Sequence, residues 1–242
     1  MAVKNHSKYR RILLKLSGEA LMGSEKFGLD HRACRDIATA IQEAVSLGVQ
    51  LGVVVGGGNI FRGSQAQAFG FSRTPADQMG MLATMINGMA LAQVLSAVGV
   101  KAHVMSAVSC PSFMDSFHLE EALRLLEDNG VPIFVGGTGN PYFTTDTAAA
   151  LRASEVRADI LFKATKVDGV FDKDPLKYSD AKQHKHLKFK DALAAQLNIM
   201  DATALALCRE TKMPICVFNI FEKGALLKAV KGEDIGSLIT EE

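Results

Sequence analysis

The sequence has few cysteines, no C-x-x-C pair and no long hydrophobic run, and each absence excludes a class of protein. Its 242 residues include 4 cysteines, scattered in or beside apolar segments: Cys34, Cys110, Cys208 and Cys216. This placement favours free, buried thiols over a disulfide framework or a zinc site. The apolar stretches fall short of the roughly 20 residues that a membrane-spanning helix requires. Residues 1–11 are basic and polar without the apolar core of a secretory signal, so we expect a cytoplasmic protein with no membrane partner.

The chain also lacks an excess of charge of either sign. It contains 27 Lys and Arg against 26 Asp and Glu, which gives a formal net charge of +1. Proteins dedicated to nucleic acids usually carry a basic excess on one face, so we expect no nucleic-acid partner. The balanced total still allows one local cationic cluster that binds a small anion.

Short apolar runs rich in Val, Ile and Leu alternate with helical patterns along the chain. Buried strands are predicted at residues 11–16, 50–55, 101–105, 131–135, 159–163 and 214–219. Helices are predicted at residues 31–47, 75–98, 119–129, 145–155, 191–197, 202–211 and 223–230. This alternation predicts an α/β fold, a mostly parallel sheet sandwiched by helices on both faces. We expect one domain that spans 1–242 and consists of two nucleotide-sized lobes.

The most polar part of the chain is the segment 172–190, which is predicted to be an extended loop or a hairpin. It contains His184 and His186 in a lysine-rich setting. A metal site is one interpretation of this pair, but a solvated loop is favoured because further His or Cys ligands are not near it in the sequence.

Glycine is informative through its placement rather than its number, since 21 glycines are only modestly above an average usage of about 7%. The second predicted strand leads into Gly56-Gly57-Gly58, and the fourth leads into Gly136-Gly137-Thr138-Gly139. Consecutive glycines allow backbone N–H groups to surround a phosphate. Arg62 follows the first run at a distance suited to phosphate oxygens. Anion binding is therefore favoured over a plain tight turn, although neither G-x-G-x-x-G nor G-x-x-x-x-G-K-[ST] occurs in the chain.

Lysines stand where two predicted strands end. Lys15 precedes the Ser17-Gly18 turn, and Lys163 and Lys166 stand at the end of the fifth strand. A lysine in that position either directs its charge at the carboxyl edge of the sheet, where α/β proteins bind ligands, or merely extends to solvent. Two glycine-rich loops with several cations suit phosphoryl transfer, in which charge must be neutralised and little covalent chemistry is required. No G-x-S-x-G or H-E-x-x-H motif supports a hydrolase.

A helix is predicted to begin shortly after the Gly136–Gly139 loop, with Thr145 or Asp146 as its N-cap. A helix N-terminus favours a negative ligand. Asp146 either caps this helix or orients a catalytic lysine or a metal-bound phosphate, and the neighbouring hydroxyl groups favour such an orienting role.

Five segments together carry a resemblance to a known family. They are Lys15-Leu16-Ser17-Gly18-Glu19, Gly56-Gly57-Gly58-Asn59-x-x-Arg62-Gly63, Ala76-Asp77-x-Met79-Gly80-Met81-Leu82-Ala83-Thr84, Thr138-Gly139-Asn140-Pro141-x-Phe143-Thr144-Thr145-Asp146 and Lys163-Ala164-Thr165-x-Val167-Asp168-Gly169-Val170. From about Tyr9 to Thr240 the chain resembles the bacterial uridylate (UMP) kinases of the amino acid kinase family.

The resemblance implies reversible transfer of the ATP γ-phosphate to UMP, with Mg²⁺ carried by the nucleotide and no separate metal site. It also implies a UMP-binding lobe at about 9–155 and an ATP-binding lobe at about 156–242. The implied ATP-binding residues are Lys15, Leu16, Ser17, Gly18, Gly58, Arg62, Thr165, Phe171 and Asp174. The implied UMP-binding residues are Gly57, Asp77, Thr138, Gly139, Asn140, Pro141, Tyr142, Phe143, Thr144 and Thr145. The catalytic candidates are Lys15, Arg62, Asp146, Lys163 and Asp201.

The resemblance further implies a homohexamer that GTP activates, through the segment 23–28, and that UTP inhibits. The residues themselves do not distinguish a uracil pocket from the pocket of an acidic amino acid or carbamate. Another kinase of the family and a non-catalytic nucleotide-binding regulator therefore stand as alternatives. The choice between Lys163 and Lys166 as the second catalytic cation is also open.

Overall fold

The computed structural model describes residues 7–63, 68–175, 177–195, 197 and 199–241. The strands in this part of the chain are β1 (Arg11–Leu16), β2 (Gln50–Val55), β3 (Ala102–Ser106), β4 (Asp115–Ser116), β5 (Val131–Val135), β6 (Ile160–Thr165), β7 (Val170–Phe171), β8 (Gln183–His184), β9 (His186–Lys188), β10 (Ile215–Asn219) and β11 (Ser237–Thr240). Nine of them form one sheet in the order β4-β3-β5-β2-β1-β6-β10-β11-β9. All neighbours in it run parallel except β10 and β11.

The described residues also contain seven α-helices, which cover both faces of this sheet. They are α1 (His31–Ser46), α2 (Arg73–Ala97), α3 (Leu119–Glu127), α4 (Thr145–Glu155), α5 (Phe189–Ala194), α6 (Ala202–Glu210) and α7 (Ala225–Lys231). Helices α1, α2 and α7 bury their apolar residues against one face, which includes Ile12, Leu14 and Leu16 of β1. Helices α3 to α6 pack on the opposite face, which includes Leu13. The predicted α/β fold with helices on both faces is confirmed.

Strand β1 lies in the centre of the sheet and alternates its side chains between the two cores. All six of its residues are buried, and it pairs with β2 on one side and with β6 on the other. A strand that is buried on both faces has no polar side to mark its period, so the middle of β1 appears in the sequence as the apolar run Ile12-Leu13-Leu14.

The structure corrects the sequence prediction at short and terminal elements. Strand β11 was not predicted because it has only four residues, and the two-residue strands β4, β7 and β8 and the three-residue β9 give too little periodicity to detect. The predicted helix 191–197 is α5, which begins two residues earlier and ends at Ala194, while residue 196 lies outside the described residues. Residues 1–6, which belong to the segment examined for a secretory signal, also lie outside them.

The polar segment 172–190 contains part of a hairpin, as predicted. Strands β7 and β8 pair antiparallel, with Val170 opposite His184 and Phe171 opposite Gln183. His186 begins β9, which joins the edge of the main sheet beside β11.

Helix α2 is the longest helix in the described residues and also the most apolar. By length and composition alone it could cross a membrane, since its most apolar 18-residue window has a mean hydropathy of 1.3, so this helix is more apolar than the sequence analysis expected. Nevertheless 44% of that stretch is buried in the fold, and Asn87 at its centre is fully buried. Helix α2 is therefore a core helix of a globular protein.

A glycine allows α2 to approach the sheet closely. A Cβ added at Gly88 would lie 2.3 Å from Cγ1 of Val135 on β5, closer than two carbon atoms can approach. Gly80, two turns earlier in the same helix, has no atom within 4 Å of the corresponding position.

We expect Gly88→Ala to lower the free energy of unfolding by about 1 to 3 kcal/mol, because the stiff, β-branched Val135 cannot move away without straining the core. Urea denaturation measures this change. The matched control is Gly80→Ala, which should be neutral or stabilise the fold by up to about 1 kcal/mol through helix propensity. Equal stability changes in the two variants would contradict the close approach at Gly88.

Candidate active site

The predicted site residues gather at the carboxyl edge of the sheet. Strands β1, β2, β5 and β6 are parallel, so the loops that follow them all leave from this edge. The chain continues from β1 to β2 on one side and returns as β6 on the other. Such a reversal of strand order opens a crevice outside the strand ends, which is where α/β proteins bind their ligands.

A buried ion triad lies in this crevice. Lys15 and Lys163 are partners in the register of β1 and β6, so their side chains emerge next to each other on one face. Asp146 of α4 lies between them: its Oδ1 is 2.8 Å from Lys15 Nζ, and Lys163 Nζ donates a hydrogen bond of 2.6 Å to Oδ2. The three side chains are only 10%, 16% and 14% exposed for Lys15, Lys163 and Asp146.

Two opposed effects act on the pKa values of Asp146 and Lys163, namely burial in the fold and pairing with neighbouring charges. Burial by itself would raise the pKa of Asp146, but the charges of Lys15 and Lys163 lower this pKa below its ordinary value. Asp146 also lies in the first turn of α4, where the helix dipole favours a negative charge. Burial lowers the pKa of Lys163, although the charge of Asp146 opposes the change. Two cations thus share one carboxylate, and the triad keeps a net positive charge.

The N-cap of α4 is Thr144, one residue before the predicted Thr145 or Asp146. Its Oγ1 accepts hydrogen bonds from the backbone N–H groups of Asp146 and Thr147. The sequence did not resolve this choice because three hydroxyl or carboxyl residues follow one another there. Asp146 is consequently free of the capping role and directs its carboxylate at the two lysines.

Asp201 connects α4 to α6. Within the part of the chain that the structure describes, it forms no hydrogen bond or ion pair with Lys15 or Lys163. It is the N-cap of α6, accepting from the backbone N–H of Ala204. Its carboxylate also accepts hydrogen bonds from the hydroxyl groups of Thr144 and Thr147. This places Asp201 behind the triad, where it fixes the first turn of the helix that bears Asp146.

A second ion cluster lies at the exposed mouth of the crevice. One oxygen of Glu19 is 2.8 Å from Arg62 Nη2, and the other is 2.7 Å from Lys166 Nζ. Both cations are about half exposed. Of the two candidate lysines, therefore, Lys163 belongs to the buried triad and Lys166 to this outer cluster.

The three glycines after β2 have different environments. Gly56 lies against the backbone of Gly18, and a Cβ at Gly57 would be 2.8 Å from Cβ of Ala83 on α2. A Cβ at Gly58 would have no atom within 4 Å, so Gly58 borders open space. Arg62 lies beside it, and the Nε of Arg62 donates a hydrogen bond to the carbonyl of Gly58. At Gly57 close packing against α2 explains why a side chain is absent, whereas at Gly58 the backbone is open to an approaching anion.

Two buried asparagines hold this glycine loop in place. Asn87 of α2 donates 2.7 Å hydrogen bonds to the carbonyl of Gly56 and to Oδ1 of Asn59. Asn59 donates in turn to Asn87 and to the carbonyl of Gly28. The side chains are 2% and 0% exposed for Asn59 and Asn87, so they act as a fixed support of the loop.

A cavity of about 400 Å³ lies between the start of α2, the glycine loop and the loop before α4. Six predicted UMP-binding residues line it, namely Gly57, Asp77, Thr138, Phe143, Thr144 and Thr145, together with Gly58 and Arg62. The other four, Gly139, Asn140, Pro141 and Tyr142, lie in the same loop but do not line this cavity.

Asp77 joins α2 to that loop. Arg73 Nε donates to both of its carboxylate oxygens, and the backbone N–H of Tyr142 donates to Oδ2 at 2.7 Å. Tyr142 has a φ of 74°, which is rare for a bulky residue. Its hydrogen bond to Asp77 helps to hold this conformation.

The remaining predicted ATP-binding residues lie at the end of β1, on β6 and in the hairpin. Ser17 accepts a hydrogen bond from the backbone N–H of Glu19, and Thr165 accepts one from the backbone N–H of Val167. Phe171 is on β7, and Asp174 lies 3.5 Å from Lys177 in the following turn. These residues extend from the triad toward the hairpin, on the side of β1 opposite to the cavity.

Cations rather than metal ligands dominate the crevice. Among the described residues, no group of three or more His, Cys, Asp or Glu side chains converges in a way that could hold a metal ion. Both oxygens of Asp146 already contact lysines. The arrangement therefore suits phosphate oxygens, which seek positive charge, rather than Mg²⁺, which seeks carboxylate oxygens.

Sequence reasoning missed three residues that hold this site together: Glu19, Arg73 and Asn87. Glu19 was visible next to the predicted phosphate loop, but its contacts come from segments distant in sequence. Arg73 precedes Asp77 by four residues, a helical spacing that suggests an ion pair. Asn87 gives no signal, because a single asparagine in an apolar helix does not reveal its partners.

We expect Asp146→Asn to lower the free energy of unfolding at pH 7 by about 3 kcal/mol, because two neighbouring buried lysines lose their counter-charge. Urea denaturation measures the loss, and Asp128→Asn is the control, since Asp128 forms an exposed pair with Lys101. The pKa of Asp146 in the folded protein lies below its ordinary value of 3.8. The stabilisation that its charge provides is therefore fully present above pH 3.8 and is lost as the pH falls through the folded pKa. If Asp146→Asn no longer destabilised the protein at pH 6, the lowered pKa of Asp146 would be contradicted.

Comparison with known proteins identifies the family of this chain. The amino acid kinase family model matches residues 10–219. A curated uridylate kinase of Protochlamydia amoebophila is 56% identical over 211 residues, which cover 87% of this chain and 84% of that protein. Two solved structures are also similar. The UMP kinase of Bacillus anthracis has a TM-score of 0.94 at 35% identity over 97% of each chain. The UMP kinase of Ureaplasma parvum has a TM-score of 0.90 at 37% identity over 96% of this chain and 98% of the other. The chain therefore belongs to the amino acid kinase family.

Proposed function

We propose that this protein is a uridylate kinase, which transfers the γ-phosphate of ATP to UMP and releases UDP and ADP. The observation that carries the proposal is a cationic crevice that opens directly beside the cavity containing Asp77, with Arg62 belonging to both. The high identity to the Protochlamydia uridylate kinase supports the choice of substrates.

In this proposal the lysines of the triad stabilise the transferred phosphoryl group. Phosphoryl transfer spreads negative charge over the equatorial oxygens, so the protein has to supply fixed positive charge and correct alignment rather than a covalent intermediate. Lys15 and Lys163 supply that charge, and Asp146 holds their ammonium groups in place. Asp201 is a positioning residue, because it acts through the first turn of α4.

The two nucleotides are assigned to opposite sides of β1. UMP occupies the cavity formed with the 138–145 loop, where Asp77 can accept hydrogen bonds from ribose hydroxyl groups. ATP lies along β6 toward Thr165, Phe171 and Asp174. This corresponds to a UMP-binding lobe at about 9–155 and an ATP-binding lobe at about 156–242. Mg²⁺ enters as the partner of the ATP phosphates and supplies additional positive charge.

The chemistry of the cavity argues against the two alternatives. The carboxylate of Asp77 at its wall can accept hydrogen bonds from ribose hydroxyl groups, which an acidic amino acid or a carbamate does not carry. A regulator that only binds a nucleotide would not require a buried ion triad, since the burial of charges costs free energy that packed apolar residues would not.

We also propose that the enzyme acts in the cytoplasm as a homohexamer that responds to GTP and UTP. A stripe of apolar side chains on α2 supports association: Leu82, Ile86 and Met89 are 55%, 50% and 43% exposed at helical spacing. Three large apolar residues on one helix face are typical of a surface that another subunit covers.

A coupled assay of ADP release tests the proposed function. With ATP and Mg²⁺, we expect turnover with UMP to exceed that with CMP, dUMP, acetylglutamate, aspartate or carbamate. The absence of UMP-dependent turnover would contradict the proposal, and turnover with aspartate or acetylglutamate alone would favour the other branch of the family.

We expect Lys15→Ala to lower kcat by about 100-fold or more, because it removes one fixed charge from the transferring group. Arg62→Ala should act in the same direction but less strongly, since Arg62 is more exposed. Steady-state kinetics with UMP measure both, and Lys228→Ala, which only breaks a surface pair with Glu222, is the control. A near-normal kcat for Lys15→Ala would refute the placement of the donor phosphates.

A further inference from the structure

Glu19 is the one carboxylate of the outer cluster, and it connects two parts of the chain that are assigned to different substrates. Oε1 contacts Arg62, which follows β2 and lines the cavity. Oε2 contacts Lys166, which follows β6. Each oxygen thus has its own cation, and the two cations lie on opposite sides of β1.

The surrounding backbone fixes Glu19 itself. It lies in the short 3₁₀ helix Gly18–Leu21 directly after β1, and Ser17 Oγ accepts a hydrogen bond from its backbone N–H. Gly18 in turn fits tightly against Asn59, where a Cβ would lie 2.3 Å from Oδ1. The carboxylate is therefore attached to the rigid centre of the sheet, whereas Arg62 and Lys166 have long side chains.

We propose that Glu19 is a positioning residue for phosphoryl transfer, which holds Arg62 and Lys166 at fixed points on either side of the donor phosphates. This inference rests on the proposed function, because it takes the reaction at this crevice to be kinase chemistry. Arg62 is also fixed from its other side, since its Nε donates to the carbonyl of Gly58.

The charge balance explains why a carboxylate can stand so close to a phosphate site. Lys15, Lys163, Arg62 and Lys166 supply four positive charges, and Asp146 and Glu19 supply two negative ones. The crevice keeps a net charge of about +2 from these six groups, which still attracts a polyphosphate. An ammonium has three N–H donors, so the contact of Lys166 with one oxygen of Glu19 does not use all of them.

The test is Glu19→Gln, which keeps the size of the side chain and removes its charge. Aligned groups lose about 10- to 100-fold in rate when they are displaced by about 1 Å, so we expect kcat to fall in this range. The KM for ATP should stay the same or decrease, because a negative charge next to the phosphates is lost. Glu19→Asp, which keeps the charge but shortens the reach, should recover part of kcat. The control is Glu222→Gln, which removes a similar pair with Lys228 at 2.7 Å and should leave both parameters unchanged.

A double-mutant cycle identifies the route of the effect. If Glu19 acts through Lys166, Glu19→Gln lowers kcat less in a Lys166→Met background than in the wild type. Three results would each overturn the inference: a kcat of Glu19→Gln within twofold of wild type, an equal loss of kcat in both backgrounds, or a raised KM for ATP.

The turnover of the wild-type enzyme with UMP tests the proposed function separately. If the wild type shows none, calorimetric titration with ATP and Mg²⁺ replaces kinetics, and a Kd that rises in Glu19→Gln would overturn the inference.

Discussion

The interaction on which the rest of the structure depends is the contact of one buried carboxylate with two buried ammonium groups. Transfer of these charges out of water is unfavourable, and only close pairing makes it tolerable. Asp146 is placed by the first turn of α4, and Lys15 and Lys163 by the register of two central strands. An error of one residue in that register would turn a lysine toward the opposite core. The site therefore requires the same strand pairing as the fold.

Polar groups behind the crevice make this arrangement rigid. Asp201 joins the starts of two helices, and the Asn59–Asn87 pair joins α2 to the glycine loop. Asp77 joins α2 to the loop before α4. Each connection lies between elements that are distant in sequence, so flexible loops are held by their neighbours rather than by their own conformational preferences. This matters for phosphoryl transfer, since alignment of the two nucleotides contributes much of the rate.

The sequence predicted the layers of the fold well, because periodicity is a local property. It also located the lysines and glycine-rich loops at one edge, since parallel strands all end on the same side. It did not separate the three glycines: Gly57 is explained by close packing against Ala83, which is a tertiary contact. It did not show that Glu19 connects Arg62 to Lys166, because their spacing along the chain carries no signal. The identity of the acceptor came from family resemblance, since a ribose pocket has no periodic pattern.

Helix α2, described above as a core helix, also connects the cavity that contains Asp77 with the centre of the fold around Asn87. Its 25 residues correspond to about 37 Å of length. Asp77 stands near its start, Asn87 supports the glycine loop halfway along, and Gly88 allows one side to press against β5. The exposed Leu82, Ile86 and Met89 lie on the same turns. Because one continuous helix makes all of these contacts, a displacement of α2 would affect the cavity that contains Asp77 and the glycine loop at the same time.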